Sequence, residues 1–317
     1  MYDVAALGEL LIDFTCLSTD ADGYPTMAAH PGGAPANYLA ALTKFGAKTA
    51  MIGKVGNDAF GRLLIKTLKG AGIDTRGMLV SDDVFTTLAF VTLDDSGNRE
   101  FSFARKPGAD TQLRFDEIDL GVIDASKVLH FGTLSMTNEP ARDATYKAVE
   151  YAAGRGKLIS FDPNLRKPLW NDLDEAKRQM LWGLRHADVV KISDEETEFL
   201  FSLAPEESAK HIINSLGVRL VYVTCGAEGC FYRTKTASGF VKALSGIAVK
   251  DTTGAGDIFG GSSMYGLLKA GGVPEKLTAE ELKEIVSFAC ASAGLSTTRA
   301  GGISSVAELG EVEAAMR

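Results

Sequence analysis

The feature that most constrains this chain is a rhythm of short apolar runs separated by amphipathic stretches of helical period. Val4 to Gly8, Thr49 to Gly53, Val128 to Phe131, Leu158 to Phe161, Val189 to Ile192 and Leu220 to Thr224 read as buried strands. Ala34 to Phe45, Ala59 to Ala71, Ala141 to Ala153, Asp174 to His186 and Glu206 to Leu216 read as the helices between them. Such alternation predicts an α/β fold with a mainly parallel sheet and helices on both faces. The last third reads as mostly helical, over Gly256 to Ala270, Ala279 to Leu295 and a short terminal helix from Ser305. With 317 residues and 45% hydrophobic content, the chain is long enough for one large core carrying a small accessory element.

Two stretches break the rhythm. Phe14 to His30 places turn-formers (Asp20, Asp22, Gly23, Pro25) between short apolar pieces. Thr86 to Phe103 alternates in the strand manner around Asp94-Asp95-Ser96-Gly97-Asn98, a hairpin signal. These read as strands of a small lid outside the main sheet; the plainer alternative is two surface hairpins.

The formal net charge of -8 argues against general nucleic-acid binding, which needs clustered Lys and Arg. Cys16, Cys225, Cys230 and Cys290 form no CxxC pair, and His30, His130, His186 and His211 are scattered, so no structural zinc site is expected. So few cysteines in a long chain make no disulfide scaffold and suit a reducing cytoplasm. The opening MYDVAALGELLIDF lacks the basic start and apolar run of a secretion signal. No apolar run approaches the about 20 residues of a membrane span.

Asp251 to Gly261 reads DTTGAGDIFGG, and an apolar helix begins directly after its glycines. Gly254-Ala255-Gly256 lets backbone approach a ligand closely, and unpaired amides at a helix start favour an anion. Asp257 falls in the first helical turn beside that anion. A carboxylate there repels phosphate, but it suits acceptance of a proton from a hydroxyl attacking phosphate. Taken alone, Asp257 reads equally well as a helix-capping acid. GGAPAN, Gly32 to Asn37, also precedes a helix, as a polyol-contacting loop or as a tight turn with a cap. No G-x4-G-K-[ST] occurs, and Gly8-Glu9-Leu10 after the first strand is not G-x-G-x-x-G. P-loop and dinucleotide-binding readings are thereby excluded, as is the protein-kinase glycine loop with its H-R-D partner.

Two long segments resemble the signatures of the ribokinase-like carbohydrate kinases, the PfkB family. GGAPANYLAALTKFGAKTAMIGKVGNDAFG, Gly32 to Gly61, is similar to the N-terminal signature and DTTGAGDIFGG to the C-terminal one. The resemblance covers nearly the whole chain. It implies a three-layer α/β/α domain over residues 1–317 with a small β-strand lid from about 13–31 and 86–106. It implies Asp257 as catalytic base and the amides of Gly254, Ala255 and Gly256 as an anion hole for the γ-phosphoryl group of ATP. The sugar would lie between sheet and lid, held by Asp13, Gly32, Gly33 and Asn37. Thr224 to Gly229, TCGAEG, is similar to the nucleotide-phosphate loop, with Thr224, Gly226 and Gly229 lining the cofactor together with Ser193 and Gly256; Cys225 is a bystander. The family's N-x-x-E motif appears as Ser193-Asp194-Glu195-Glu196, a departure at its first position. Glu196 would then serve Mg²⁺ largely through water, as that ion prefers. A K⁺ site is implied at Asp251, Thr253, Ser296, Arg299, Gly301 and Ser305, several through backbone oxygens.

GGAPAN, FARKPGAD (Phe103 to Asp110), FGTLS (Phe131 to Ser135) and DPNLR (Asp162 to Arg166) resemble fructokinases most, implying phosphorylation of fructose at its 6-hydroxyl. Arg105 would contact the sugar and Arg166 a phosphate or acidic substrate. A 2-keto-3-deoxygluconate kinase is the competing reading, with ribokinase and nucleoside kinase behind it. A catalytically silent sugar sensor is the non-enzyme alternative. Lid strands with exposed edges predict a homodimer.

Overall fold

The predicted strands assemble at the heart of the molecule. A computed structural model of the chain describes residues 1–93 and 99–317. The turn expected at residues 94–98 lies outside them. The strands are β1 (Tyr2–Leu7), β2 (Leu11–Thr19), β3 (Pro25–Gly32), β4 (Thr49–Gly56), β5 (Asp74–Ser81), β6 (Leu88–Leu93), β7 (Arg99–Ala104), β8 (Ser126–Gly132), β9 (Leu158–Asp162), β10 (Val189–Ser193), β11 (Leu220–Thr224), β12 (Gly229–Arg233) and β13 (Ser238–Lys242). The helices are α1 (Ala34–Lys44), α2 (Ala59–Gly70), α3 (Leu120–Asp124), α4 (Ala141–Gly154), α5 (Leu173–His186), α6 (Asp194–Phe201), α7 (Pro205–Leu216), α8 (Ala255–Lys269), α9 (Ala279–Ser296) and α10 (Leu309–Ala315).

Among the described residues, nine strands form one sheet in the order β13-β12-β11-β10-β9-β8-β1-β4-β5. It is parallel from β5 to β11, and β12 and β13 add an antiparallel edge. One face buries residues of α1, α8 and α9, the other residues of α4, α5 and α7. The order of strands reverses at β1, which has β4 on one side and β8 on the other. Ligands of open α/β sheets sit beyond the strands' carboxyl ends at such a switch.

A second sheet, β3-β2-β6-β7, forms the lid. Phe14 of β2 stacks on Phe90 of β6 with centroids 5.2 Å apart and meets Phe60 of α2 edge-on at 5.5 Å. Asp58 caps α2 by accepting the Phe60 and Gly61 amides at 2.9 and 2.8 Å, and its other oxygen accepts the Thr86 amide at 2.8 Å. One carboxylate thus ties the helix start to the root of the lid.

Two expectations need correction. The last third is not mostly helical, because Gly229–Arg233 and Ser238–Lys242 form a hairpin that extends the sheet. The terminal helix starts at Leu309, not at Ser305. Ser305 ends a short 3-10 turn behind Gly301, whose φ is 85°, and a Glu308/Glu311 capping box opens the helix instead.

Candidate active site

The two glycine-rich segments, far apart in sequence, meet because α1 and α8 pack at close range. A Cβ on Gly260 would lie 3.2 Å from the Tyr38 ring, and one on Gly261 would overlap the Tyr38 carbonyl. Only glycines permit that approach. It carries Asn37 of α1 onto Asp257 in the first turn of α8. Asn37 Nδ2 donates to Asp257 Oδ2 at 2.9 Å, and Asn164 Nδ2 lies 3.4 Å from Oδ1. Asp257 is 8% exposed. Burial pushes its carboxyl above the ordinary range, while the Asn37 hydrogen bond and the charges of Lys191 and Arg166 pull the other way. A carboxylate made more basic by burial is a better proton acceptor, which is what a general base needs.

Gly254 precedes α8 with φ 75°, and a Cβ there would sit 3.0 Å from Asn37 and 3.1 Å from Gly302. The first turn of a helix leaves its amides without intrahelical partners and carries the positive end of the dipole. Of the three expected anion-hole amides, Ala255 also reaches back to the Thr252 carbonyl at 3.3 Å.

The cleft beside Asp257 has a volume of about 530 Å³ and lies between the sheet and the lid. Asp13, Gly33, Asn37, Arg166 and Gly254 line it as the sequence predicts, and Thr15, Val91 and Phe103 reach it from the lid. Burial raises the Asp13 carboxyl to about 6, against the pull of Arg166. A side chain at Gly32 would collide with the Asp13 carboxylate, so this glycine makes room for that acid. Gly33 has φ 122°, and a Cβ there would lie 2.5 Å from the Glu9 carbonyl.

Lining residues that sequence reasoning did not assign include Glu9, Asn164 and Glu195. Glu9 Oε1 accepts the Ala34 amide at 2.8 Å, and burial raises its carboxyl to about 7. Asn164 sits at φ 47°, a conformation Asn tolerates better than most residues. An Asn flanked by Pro in a loop after a strand was the available signal.

Arg105 is not brought into the cleft. It is 6% exposed and its guanidinium is engaged elsewhere: Nε and Nη2 donate to Asp110 at 2.8 and 2.6 Å, Nη2 to the Leu134 carbonyl at 2.8 Å and Nη1 to Thr137 at 2.7 Å. The residue clamps the loop after β7 to the end of β8.

Ser193 and Thr224 are register partners at the carboxyl ends of β10 and β11, so the two predicted nucleotide contacts are adjacent. Ser193 caps α6 with a reciprocal box: its Oγ accepts the Glu196 amide at 3.2 Å and Glu196 Oε2 accepts the Ser193 amide at 2.8 Å. A serine does this as well as the family's asparagine. Gly226, at φ 51°, starts the turn after β11. Gly229, at φ 132°, begins β12 with its Cβ position blocked by the Val241 carbonyl. The Cys225 thiol is pushed up by burial and stays protonated.

The metal expectations can be tested against the donors. Both Glu196 oxygens accept backbone amides, Oε1 from Leu165 at 2.7 Å, so this carboxylate fits Mg²⁺ held through water and phosphates rather than a direct bond. Among the described residues no group of three or more His, Cys, Asp or Glu could hold a metal. For K⁺, Asp251 ties two loops together: Oδ1 accepts the Thr253 amide and hydroxyl at 3.0 and 2.7 Å, and Oδ2 accepts the Gly301 amide at 2.9 Å. Ser296 and Ser305 hydroxyls donate to their own turns, and the Arg299 guanidinium pairs with Glu311 at 2.6 Å. Backbone carbonyls of these loops are the donors that fit a monovalent cation.

Comparison with known proteins decides the family. The pfkB family carbohydrate kinase pattern matches residues 1–309. This chain belongs to the pfkB family of carbohydrate kinases. It is 40% identical over 318 aligned residues to a probable fructokinase-4 of Arabidopsis thaliana, covering 99% of this chain and 96% of that protein. A fructokinase of Xylella fastidiosa, solved with bound ATP, superposes with a TM-score of 0.91 at 29% identity, covering 100% of this chain and 98% of the other. A fructokinase of Vibrio cholerae, solved with fructose, ADP and calcium, gives 0.88 at 30% identity, with 100% and 99% covered. The pfkB fold is thus present throughout, with the main sheet, its helical layers and the lid. Among the described residues no helix is long and apolar enough to cross a membrane.

Proposed function

We propose that this pfkB kinase transfers the γ-phosphoryl group of ATP to the 6-hydroxyl of fructose, with Asp257 as base and the whole chain, 1–317, acting as one catalytic unit under its lid. The observation that carries the reading is the bond from Asn37 to Asp257 at 2.9 Å, which joins the sugar-side loop to the phosphate-side helix. Asp257 accepts the hydroxyl proton at Oδ1 or Oδ2. The amides at the start of α8 face the charge that gathers on the migrating group. Asp13 accepts hydrogen bonds from sugar hydroxyls, and Gly32 and Gly33 let the backbone close on the ring. Arg166 faces the same cleft and draws phosphate toward it. Thr224, Gly226, Gly229 and Ser193 form the nucleotide edge. Mg²⁺ would sit near Glu196, held largely through water and phosphate oxygens, and would neutralise phosphate charge. K⁺ would be held by loops 251–253 and 296–305 through backbone carbonyl oxygens.

Fructose is favoured over 2-keto-3-deoxygluconate by the fructokinase relatives. Exposed Leu17 and Tyr24 on the lid suit a homodimer formed there, in a cytoplasmic enzyme. The test is Asp257→Asn assayed by ADP release with fructose, ribose and 2-keto-3-deoxygluconate. We expect wild type to prefer fructose and the variant to lose about 10²- to 10⁴-fold in turnover while fructose binding persists. Near-normal turnover in the variant would refute the assignment.

A further inference from the structure

Lys191 has no role in the reading above, yet it lies directly beneath the proposed anion hole. It occupies β10 between Val190 and Ile192, which pack into the core on the opposite sheet face. Its side chain, 12% exposed, therefore points to the α8 side. A Cβ on Gly256 would lie 3.0 Å from the Lys191 Nζ and 3.5 Å from Cε, so the ammonium touches the first turn of α8.

Its pairing is unlike a structural ion pair. Among the described residues its hydrogen-bond partner is Asp162, with Nζ 3.1 Å from Oδ2 and 3.4 Å from Oδ1. An ammonium has three protons to donate, and these contacts are long. The Arg105–Asp110 pair of the same protein makes its carboxylate bonds at 2.8 and 2.6 Å. The charge of Lys191 is nonetheless secure. Burial works against it, but Asp162, Glu196 and Asp257 outweigh burial and raise its pKa. A buried, charged and loosely satisfied ammonium at the head of a helix has capacity left for another anion.

We propose that Lys191 is a positioning residue that fixes a positive charge behind the Gly256 amide and so stabilises the phosphoryl group as it crosses to the sugar. The proposal rests on the phosphoryl-transfer reading above. A lysine ammonium in a water-poor pocket acts strongly on charge developing nearby, because little solvent screens it. With no side chain at position 256, the ammonium rests directly against the helix start, where a Cβ would displace it.

The test compares Lys191→Met, Lys191→Arg and the neutral pair Lys191→Met with Asp162→Asn, with Asp257→Asn as control. We expect Lys191→Met to lower kcat roughly 100-fold, in the range for losing one oxyanion-hole donor, with little change in KM for the sugar. Calorimetry gives a readout without turnover. Imidodiphosphate-ATP should lose about tenfold of its affinity advantage over ADP, the equivalent of ~1.4 kcal/mol. Lys191→Arg should restore part of kcat. The neutral pair should stay slow although it leaves no unmatched buried charge. Recovery of kcat in the neutral pair, or normal kcat in Lys191→Met, overturns the proposal. So does failure of both neutral variants to fold while Lys191→Arg folds and works fully, which would assign Lys191 to folding alone. If Asp257→Asn keeps turnover, it is the phosphoryl-transfer reading that fails. A dead Asp257→Asn beside a normal Lys191→Met removes only the role of Lys191.

Discussion

At the residue scale, the site is governed by acids placed where water is scarce. Asp13, Asp257 and Glu9 are all raised, and in each burial is the largest cause. This makes a prediction about pH. In the proposed reaction Asp13 binds sugar hydroxyls as a carboxylate, and its ionised form is lost as pH falls through about 6. The KM for fructose should therefore rise between pH 7 and 5 while it stays flat above 7. An Asp13→Asn variant should start with a high KM and lose this pH dependence. A wild-type KM independent of pH over that interval would remove Asp13 from sugar binding. As the proposed base, Asp257 gives kcat the same sign: its carboxyl is raised, so acidification protonates it and lowers kcat.

At the element scale, caps and close packing do the positioning. The Ser193/Glu196 box starts α6, and the other oxygen of Glu196 accepts the Leu165 amide and so holds the loop that presents Asn164 and Arg166. Asp58 does the equivalent for the lid, by capping α2 and gripping the Thr86 amide. Asp58→Ala should cost about 1–2 kcal/mol from the lost cap. For a chain of this size that is a fall in Tm of several degrees. Because Thr86 begins the approach to β6, the same variant should weaken sugar binding more than nucleotide binding. Calorimetry with each ligand separates these effects, and equal losses for both would contradict the tie to the lid. The α1–α8 contact is the other decisive element. Gly261→Ala should displace α8 from Tyr38 and lower kcat through the Asn37–Asp257 bond, with protein stability reported by the same melting curves.

At the scale of the whole molecule, the sheet separates two hydrophobic clusters, and one of them buries a histidine at the centre. His130 stacks on Tyr38 with ring centroids 3.7 Å apart, and its Nδ1 is 3.0 Å from the Ser160 hydroxyl. Burial pushes its pKa down to about 3. A histidine held neutral in the fold and free to charge when unfolded stabilises the protein above about 6.5. That stability is lost as pH falls from there toward 3. Wild-type Tm should drop steadily on acidification below 6.5, and His130→Asn should show a shallower decline. Parallel declines in the two proteins would show that His130 does not carry the effect. Sedimentation at working concentration checks the lid dimer, for which a monomer alone would be the contrary result.

The strand–helix alternation was legible because a parallel sheet covered on both faces demands uniformly apolar strands, as in Val4 to Leu7. DTTGAGDIFGG and GGAPAN were legible through their resemblance to the family signatures, since each alone also fits a capped turn at a helix start. The β12–β13 hairpin escaped notice because an edge strand with alternating exposure, as in Ser238–Lys242, looks like polar loop. The packing of Arg105 was not legible because its local sequence holds Asp110 but says nothing of Leu134 and Thr137, which complete its hydrogen bonding. Lys191 was invisible as more than a strand residue, since its neighbours Gly256 and Asp162 come from other elements. Local sequence determined the elements and the chemistry at hand, because period, capping and glycine freedom act over a few residues. Only the folded chain decided which charges face one another, because burial and Coulomb interactions depend on distances that sequence separation does not set.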